Sequence, residues 1–162
     1  MNIQKINKMK HIGMRRFFNY IALAFVMVGA MSIVSCDVDS SPNGKLDGYW
    51  RMQQIDTLAT EGVCELDGEL LFWSIQNKLL QFVDRKNETT PYYLRFEHSG
   101  NTLELSSPFI DRSQSEDIPL EDINVLKKYG VNSIPISFKI ETLSSKSLVL
   151  STQHIRLTLK RY

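Results

Sequence analysis

Downstream of residue 90, apolar and polar positions alternate with a period of two in several short runs. Tyr92, Leu94 and Phe96 alternate with Tyr93, Arg95 and Glu97 over 91–98, and Leu103 and Leu105 share a face in 102–106. Further on, Ile136, Phe138 and Ile140 alternate with Ser137, Lys139 and Glu141, and Ile155, Leu157 and Leu159 alternate with Arg156, Thr158 and Lys160. This pattern predicts antiparallel strands with one face buried and the other wet. Residues 48–58, 69–75 and 78–84 read as three earlier strands. They are separated by a loop over 59–68, with Gly62, Asp67 and Gly68, and by a tight turn at Gln76-Asn77. A short apolar run at Leu148–Leu150, following Ser144-Ser145, completes eight strands.

Two segments break the rule. In 69–83, Leu70, Phe72, Leu80 and Phe82 fit one face, which leaves Leu71, Trp73, Ile75, Leu79 and Val83 on the other. A hairpin apolar on both faces needs cover outside as well as inside. Residues 119–129 instead carry the signals of a helix in the right order. Pro119 is in the first turn with acids after it, Lys127 and Lys128 are in the last turn, and Gly130 lies just beyond. Leu120, Ile123, Leu126 and Tyr129 give this helix an apolar arc suited to covering the sheet or its open end. The preceding 107–117 reads as a long exposed loop. The fold expected is mainly β: eight sequential antiparallel strands closing into a barrel, with one short α-helix between the fifth and sixth. Closure removes the unpaired edges of an open sheet.

The N-terminus has a different character. Lys5, Lys8, Lys10, Arg15 and Arg16 precede an uncharged apolar run from Ile21 to Val34. That run falls short of the ~20 residues a spanning helix needs. A basic head, an apolar middle and small residues before a cut site form an export signal. The sequence Ile33-Val34-Ser35-Cys36 resembles the lipobox of bacterial lipoproteins. The resemblance implies that residues 1–35 are removed and that Cys36 becomes the lipidated first residue of the mature chain, held to a membrane by its acyl chains. Residues 36–45, rich in Asp, Ser, Pro and Gly, read as the lipidated cysteine and a flexible tether, leaving 46–162 as the folded domain. The expected location is the cell envelope, at the outer membrane of a Gram-negative bacterium.

Removing the signal changes the charge. Five of the 19 Lys and Arg and none of the 18 Asp and Glu precede Cys36, so the mature chain holds 14 against 18, a formal −4. An acidic domain argues against nucleic acid as a partner. With Cys36 acylated, Cys64 is the one remaining thiol, and the expectation is a buried small hydrophobe. His98 and His154 lack a second ligand at metal spacing. No nucleophile elbow, phosphate loop or dinucleotide fingerprint occurs. The acids Glu116, Asp117, Glu121 and Asp122 suit the start of a helix better than an ordered calcium loop. Neither a cofactor nor a metal is expected, and the chain reads as a non-enzyme.

Leu46-Asp47-Gly48-Tyr49-Trp50-Arg51 resembles the Gly-x-Trp signature that opens lipocalins, and the whole chain resembles small bacterial lipocalin-like lipoproteins. The resemblance implies that Gly48 and Trp50 form the barrel floor and that a late arginine, Arg156 or Arg161, stacks on the tryptophan. It also implies a binding role, for a small apolar ligand touching Phe72, Trp73, Phe82, Tyr93, Phe96 and Phe138. The alternative is a solid barrel acting as a non-catalytic interaction subunit, docking an envelope protein through the doubly apolar hairpin. A barrel filled by its own side chains would take the site from the first reading.

Overall fold

In a computed structural model, residues 41–111 and 116–162 are described. Cys36 and the expected export segment lie outside them. Ten strands follow in chain order: β1 (Gly48–Thr57), β2 (Gly62–Glu65), β3 (Leu71–Gln76), β4 (Leu79–Asp84), β5 (Tyr92–Ser99), β6 (Thr102–Ile110), β7 (Ile118–Pro119), β8 (Ile136–Leu143), β9 (Ser147–Ser151) and β10 (Ile155–Arg161). Eight of them form a ring of antiparallel neighbours, β1-β3-β4-β5-β6-β8-β9-β10, which closes from β10 back onto β1. The seam runs from Trp50 opposite Arg161 to Thr57 opposite Ile155. The expected eight-stranded barrel is therefore present.

The other edge of β1 is divided. Gly48–Arg51 pair with β3, whereas Gln54–Thr57 pair with β2. Strand β2 lies within the segment expected to be a loop. Its four residues are all exposed, so no alternation marks it. Cys64 sits on this strand and is exposed, which corrects the expectation of a buried thiol. The turn of the β3–β4 hairpin is also displaced by one residue. Gln76 pairs with Leu79, and Asn77 takes the left-handed φ of 57° that asparagine tolerates well. Leu71, Trp73 and Ile75 thus share the inner face with Leu80 and Phe82, which revises the facing read from the sequence.

The segment between β6 and β8 is a helix of the 3-10 type. Pro119 pairs with Phe109 in the short β7, and the helix spans Ile123–Tyr129. Asp122 caps it, accepting from Asn124 N at 3.0 Å, and Gly130 ends it at φ 81°. The reason is in the spacing. Leu120, Ile123, Leu126 and Tyr129 recur every third residue, which stacks on one edge of a three-per-turn helix and would drift around an α-helix.

Inward positions around the ring are filled. Trp50, Met52, Trp73, Ile75, Leu80, Phe82, Leu94, Phe96, Leu103, Leu105, Phe138, Leu148, Leu150, Leu157 and Leu159 are each no more than 2% exposed. One end of the barrel, the floor, is closed by the 3-10 turn Gly44–Leu46, with Leu46 fully buried. At the other end, the rim, the 3-10 helix buries Leu126 and Tyr129, and Val131 follows them into the core.

Candidate functional site

The floor is built from the first and last strands. Gly48 has φ +153°, and a Cβ there would lie 2.2 Å from Arg161 Nη1, so only a glycine leaves room for the guanidinium. Arg161 Cζ lies 4.3 Å from the centre of the Trp50 ring. Its Nη1 donates to Asp47 O at 2.9 Å and its Nη2 to Lys45 O at 2.5 Å, while Trp50 Nε1 donates to Leu46 O at 2.8 Å. These contacts seal the floor and fix the incoming chain. Of the two candidate arginines, Arg161 covers the tryptophan. Arg156 points outward and pairs with Glu141 at 2.9 Å.

At the rim, Tyr129 stacks on Phe82 with ring centres 4.6 Å apart and planes 7° from parallel. Phe82 meets Trp73 at 5.0 Å, and Trp73 meets Phe138 edge-on at 5.8 Å. The 3-10 helix therefore acts as a plug whose ring joins an aromatic column running down the barrel. Burial, and next the Asp84 carboxylate, push the Tyr129 phenol above its ordinary range, and the Thr89 side chain offsets a little of that rise. Among the described residues, Trp73 Nε1, Tyr129 Oη, Arg51 Nε and Arg161 Nε are buried without a hydrogen bond of normal geometry.

The plug is latched by a buried charge that sequence reasoning missed. Asp84 is 2% exposed and ends β4. Its Oδ2 lies 2.6 Å from Lys128 Nζ on the plug and accepts from Asn87 Nδ2 at 2.9 Å. Its Oδ1 accepts from the main-chain N–H groups of Lys86 and Asn87 at 3.1 and 3.0 Å. Burial alone would raise this carboxyl. The Asn87 side chain, Lys128 and the Asn87 main chain outweigh it and hold the group at about 2. A strand ending in Asp before Arg-Lys-Asn was the available signal, since Asp readily accepts from the main-chain N–H two residues on.

The six aromatic residues singled out from the sequence separate into two sets. Trp73, Phe82, Phe96 and Phe138 point inward and are packed against other core side chains. Phe72 and Tyr93 lie on the outer wall. Phe72 stacks on Tyr49 at 4.6 Å, with Tyr162 edge-on at 5.3 Å and Arg85 Cζ 5.3 Å above its ring. This cap, and not the 3-10 helix, covers the outer face of the hairpin. Tyr93 stacks on Phe109 at 5.5 Å and accepts from Gln81 Nε2 at 2.9 Å.

Concave surface lies on the outside. One cleft of about 430 Å³ runs beside β6 and β7, lined by Ser107, Pro108, Phe109, Asp117, Pro119 and Leu120. Another, of about 350 Å³, lies on the outer face of β1 and β2 between Leu58, Val63 and Arg156. Among the described residues no group of three or more His, Cys, Asp and Glu side chains is placed to hold a metal. His98 Nε2 lies 3.0 Å from Gly100 O in its own turn.

A closed eight-stranded antiparallel barrel, floored by a Gly-x-Trp strand and a terminal arginine, is the architecture of the lipocalin class. The chain belongs to the lipocalin-like domain family, whose model matches residues 30–162. Among solved structures it is similar to a lipocalin-like protein from Bacteroides uniformis ATCC 8492. Identity is 19%, the TM-score is 0.57, and the match covers 74% of this chain and 100% of that one. It is also similar to an uncharacterized protein from Bacteroides eggerthii DSM 20697, with 13% identity, a TM-score of 0.54 and coverage of 72% and 98%. No match is found among curated proteins.

Proposed function

We propose that this chain is a lipoprotein, acylated at Cys36 and tethered at the outer membrane of a Gram-negative cell, whose lipocalin-like domain works without catalysis by docking an envelope protein on its outer surface. One observation carries the choice between an outer and an inner site. The inward positions are occupied by the chain's own large side chains, and the barrel is shut at both ends. A packed interior has no preformed room for cargo, whereas lipocalin-type carriers need small side chains there. Exposed aliphatic side chains fall instead at the rim end: Leu58, Leu70 and Ile118 are 38% exposed and Val63 59%. Leu58 and Val63 share the β1–β2 cleft.

The test is native mass spectrometry of the mature lipoprotein purified from its own host. A stoichiometric protein partner that is lost in the Leu58→Asp/Val63→Asp variant supports the reading. A bound small molecule with no protein partner overturns it.

That last outcome would favour a second reading, a small apolar ligand admitted beneath the plug. Its support is Trp73 Nε1, buried in the aromatic column with no hydrogen-bond partner among the described residues. Such an orphan is costly unless something answers it.

A further inference from the structure

The barrel is electrically lopsided along its axis, and the tether enters at one end. Ser41, Asn43 and Asp47 form a hydrogen-bonded knot at the floor, and Asn43 Nδ2 also donates to Asn77 O in the β3–β4 turn. The described chain thus begins at the floor. Four exposed lysines surround that point. Lys45 lies in the floor turn, Lys78 in the β3–β4 turn, Lys146 in the β8–β9 turn, and Lys160 on β10 beside the seam. None of the four enters an ion pair among the described residues. Nearby acids are fewer. Asp47 is engaged in the knot, and Glu97 and Glu104 face each other on the outer wall of β5 and β6. The rim carries Glu61, Glu65, Asp67, Glu88, Glu121 and Asp122, all exposed, against exposed Arg85 and Lys127, while Lys86 and Lys128 are paired with Glu69 and Asp84.

We infer that the floor is a membrane-contact face, which rests on an anionic phospholipid surface and holds the barrel upright with its rim directed away from the bilayer. The inference rests on acylation of Cys36. Four residues separate that anchor from Ser41, and the five steps between them reach at most about 18 Å, so the floor stays close to the headgroups. A domain of net negative charge is repelled by an anionic surface as a whole. Its basic end is drawn down and its acidic end pushed up, so orientation is where the charge asymmetry acts. The upright pose leaves Leu58, Val63 and Leu70 at the rim free for a protein partner.

Cys64 provides the probe, since it is exposed on β2 at the rim. The lipoprotein is labelled with a maleimide donor dye and reconstituted into vesicles carrying an acceptor lipid. The vesicles are of phosphatidylcholine alone or of equal parts phosphatidylcholine and phosphatidylglycerol. Lower energy transfer on the anionic vesicles is expected, and the difference should vanish in high salt and in the Lys45→Glu/Lys78→Glu/Lys146→Glu/Lys160→Glu variant. These lysines are exposed, so circular dichroism should show the variant folded. Equal transfer on both vesicles, or higher transfer on the anionic ones, overturns the orientation while leaving the anchor intact. Dye stoichiometry separates the two claims. One dye per chain is expected with Cys36 consumed in its thioether, whereas two would remove the anchor and the orientation together.

Discussion

The arginine on the floor is a contact whose parts depend on one another. Gly48 gives it room, Trp50 gives it a face, and Asp47 O and Lys45 O receive its protons. Lysine has neither the plane nor the fork to replace it. Arg161→Lys should lower stability by about 1–2 kcal/mol, measured by urea unfolding. Gly48→Ala should cost about 2 kcal/mol in the native background, through the close contact and the positive φ. In an Arg161→Ala background the same change should cost clearly less, and equal costs in the two would refute the coupling. The tryptophan and glycine were legible because a short motif ties them together. The choice of Arg161 over Arg156 was not, since it turns on strand register. Residue 161 sits opposite Trp50, while residue 156 falls opposite Asp56 on the wet face.

Asp84 makes a pH-dependent contribution at the same scale. Its carboxyl titrates at about 2 when folded, against an ordinary 3.8. A depressed carboxylate stabilises the fold above its unfolded pKa, and the contribution drains away as pH falls through the folded value. Nearly two units correspond to about 2 kcal/mol, present from about pH 4 upward and lost toward pH 2. Asp84→Asn should flatten the stability profile between those values. A profile unchanged from the native protein would show that the latch contributes nothing.

At the scale of elements, the strands with clean alternation were the readable ones. They face solvent on one side and core on the other, so burial writes its period into them. Strand β2 was unreadable for the converse reason. It buries no side chain and exists because β1 outruns β3 and leaves half an edge unpaired. The plug was legible as a helix and mistaken in kind. Its boundary signals serve any helix, and the three-residue spacing that selects the 3-10 form lies in the apolar positions alone. The plug turns on Gly130, where φ is +81° and a Cβ would lie 2.5 Å from Leu157 Cδ2. Gly130→Ala should destabilise by about 2–4 kcal/mol, combining left-handed strain with displacement of a core leucine. Amide exchange should show faster opening of residues 123–131 first. Uniform loss of protection across all strands would mean that the plug is no separate unit.

For the whole molecule, closure and family were within reach of the sequence: eight strands in order, with a Gly-x-Trp start, leave few alternatives. The state of the interior was out of reach. Whether a barrel is hollow depends on which aromatic side chains turn inward and how they interlock, and one register step exchanges Phe72 for Trp73. The proposed anchor belongs to this scale too. Growth with an alkyne palmitate analogue should label the native protein, and Cys36→Ala should abolish the label and release the protein from the membrane fraction. Labelling that persists in Cys36→Ala would place the acyl chain elsewhere.

The central claim is that the barrel is filled by its own side chains and acts through its outer surface. Titrating the protein with cis-parinaric acid, while following energy transfer from its buried tryptophans, tests this most directly. No saturable binding is predicted, because Trp73, Phe82, Tyr129 and Phe138 already occupy the column an apolar probe would enter. Saturable one-to-one binding at micromolar probe, with quenched tryptophan emission, would contradict the account.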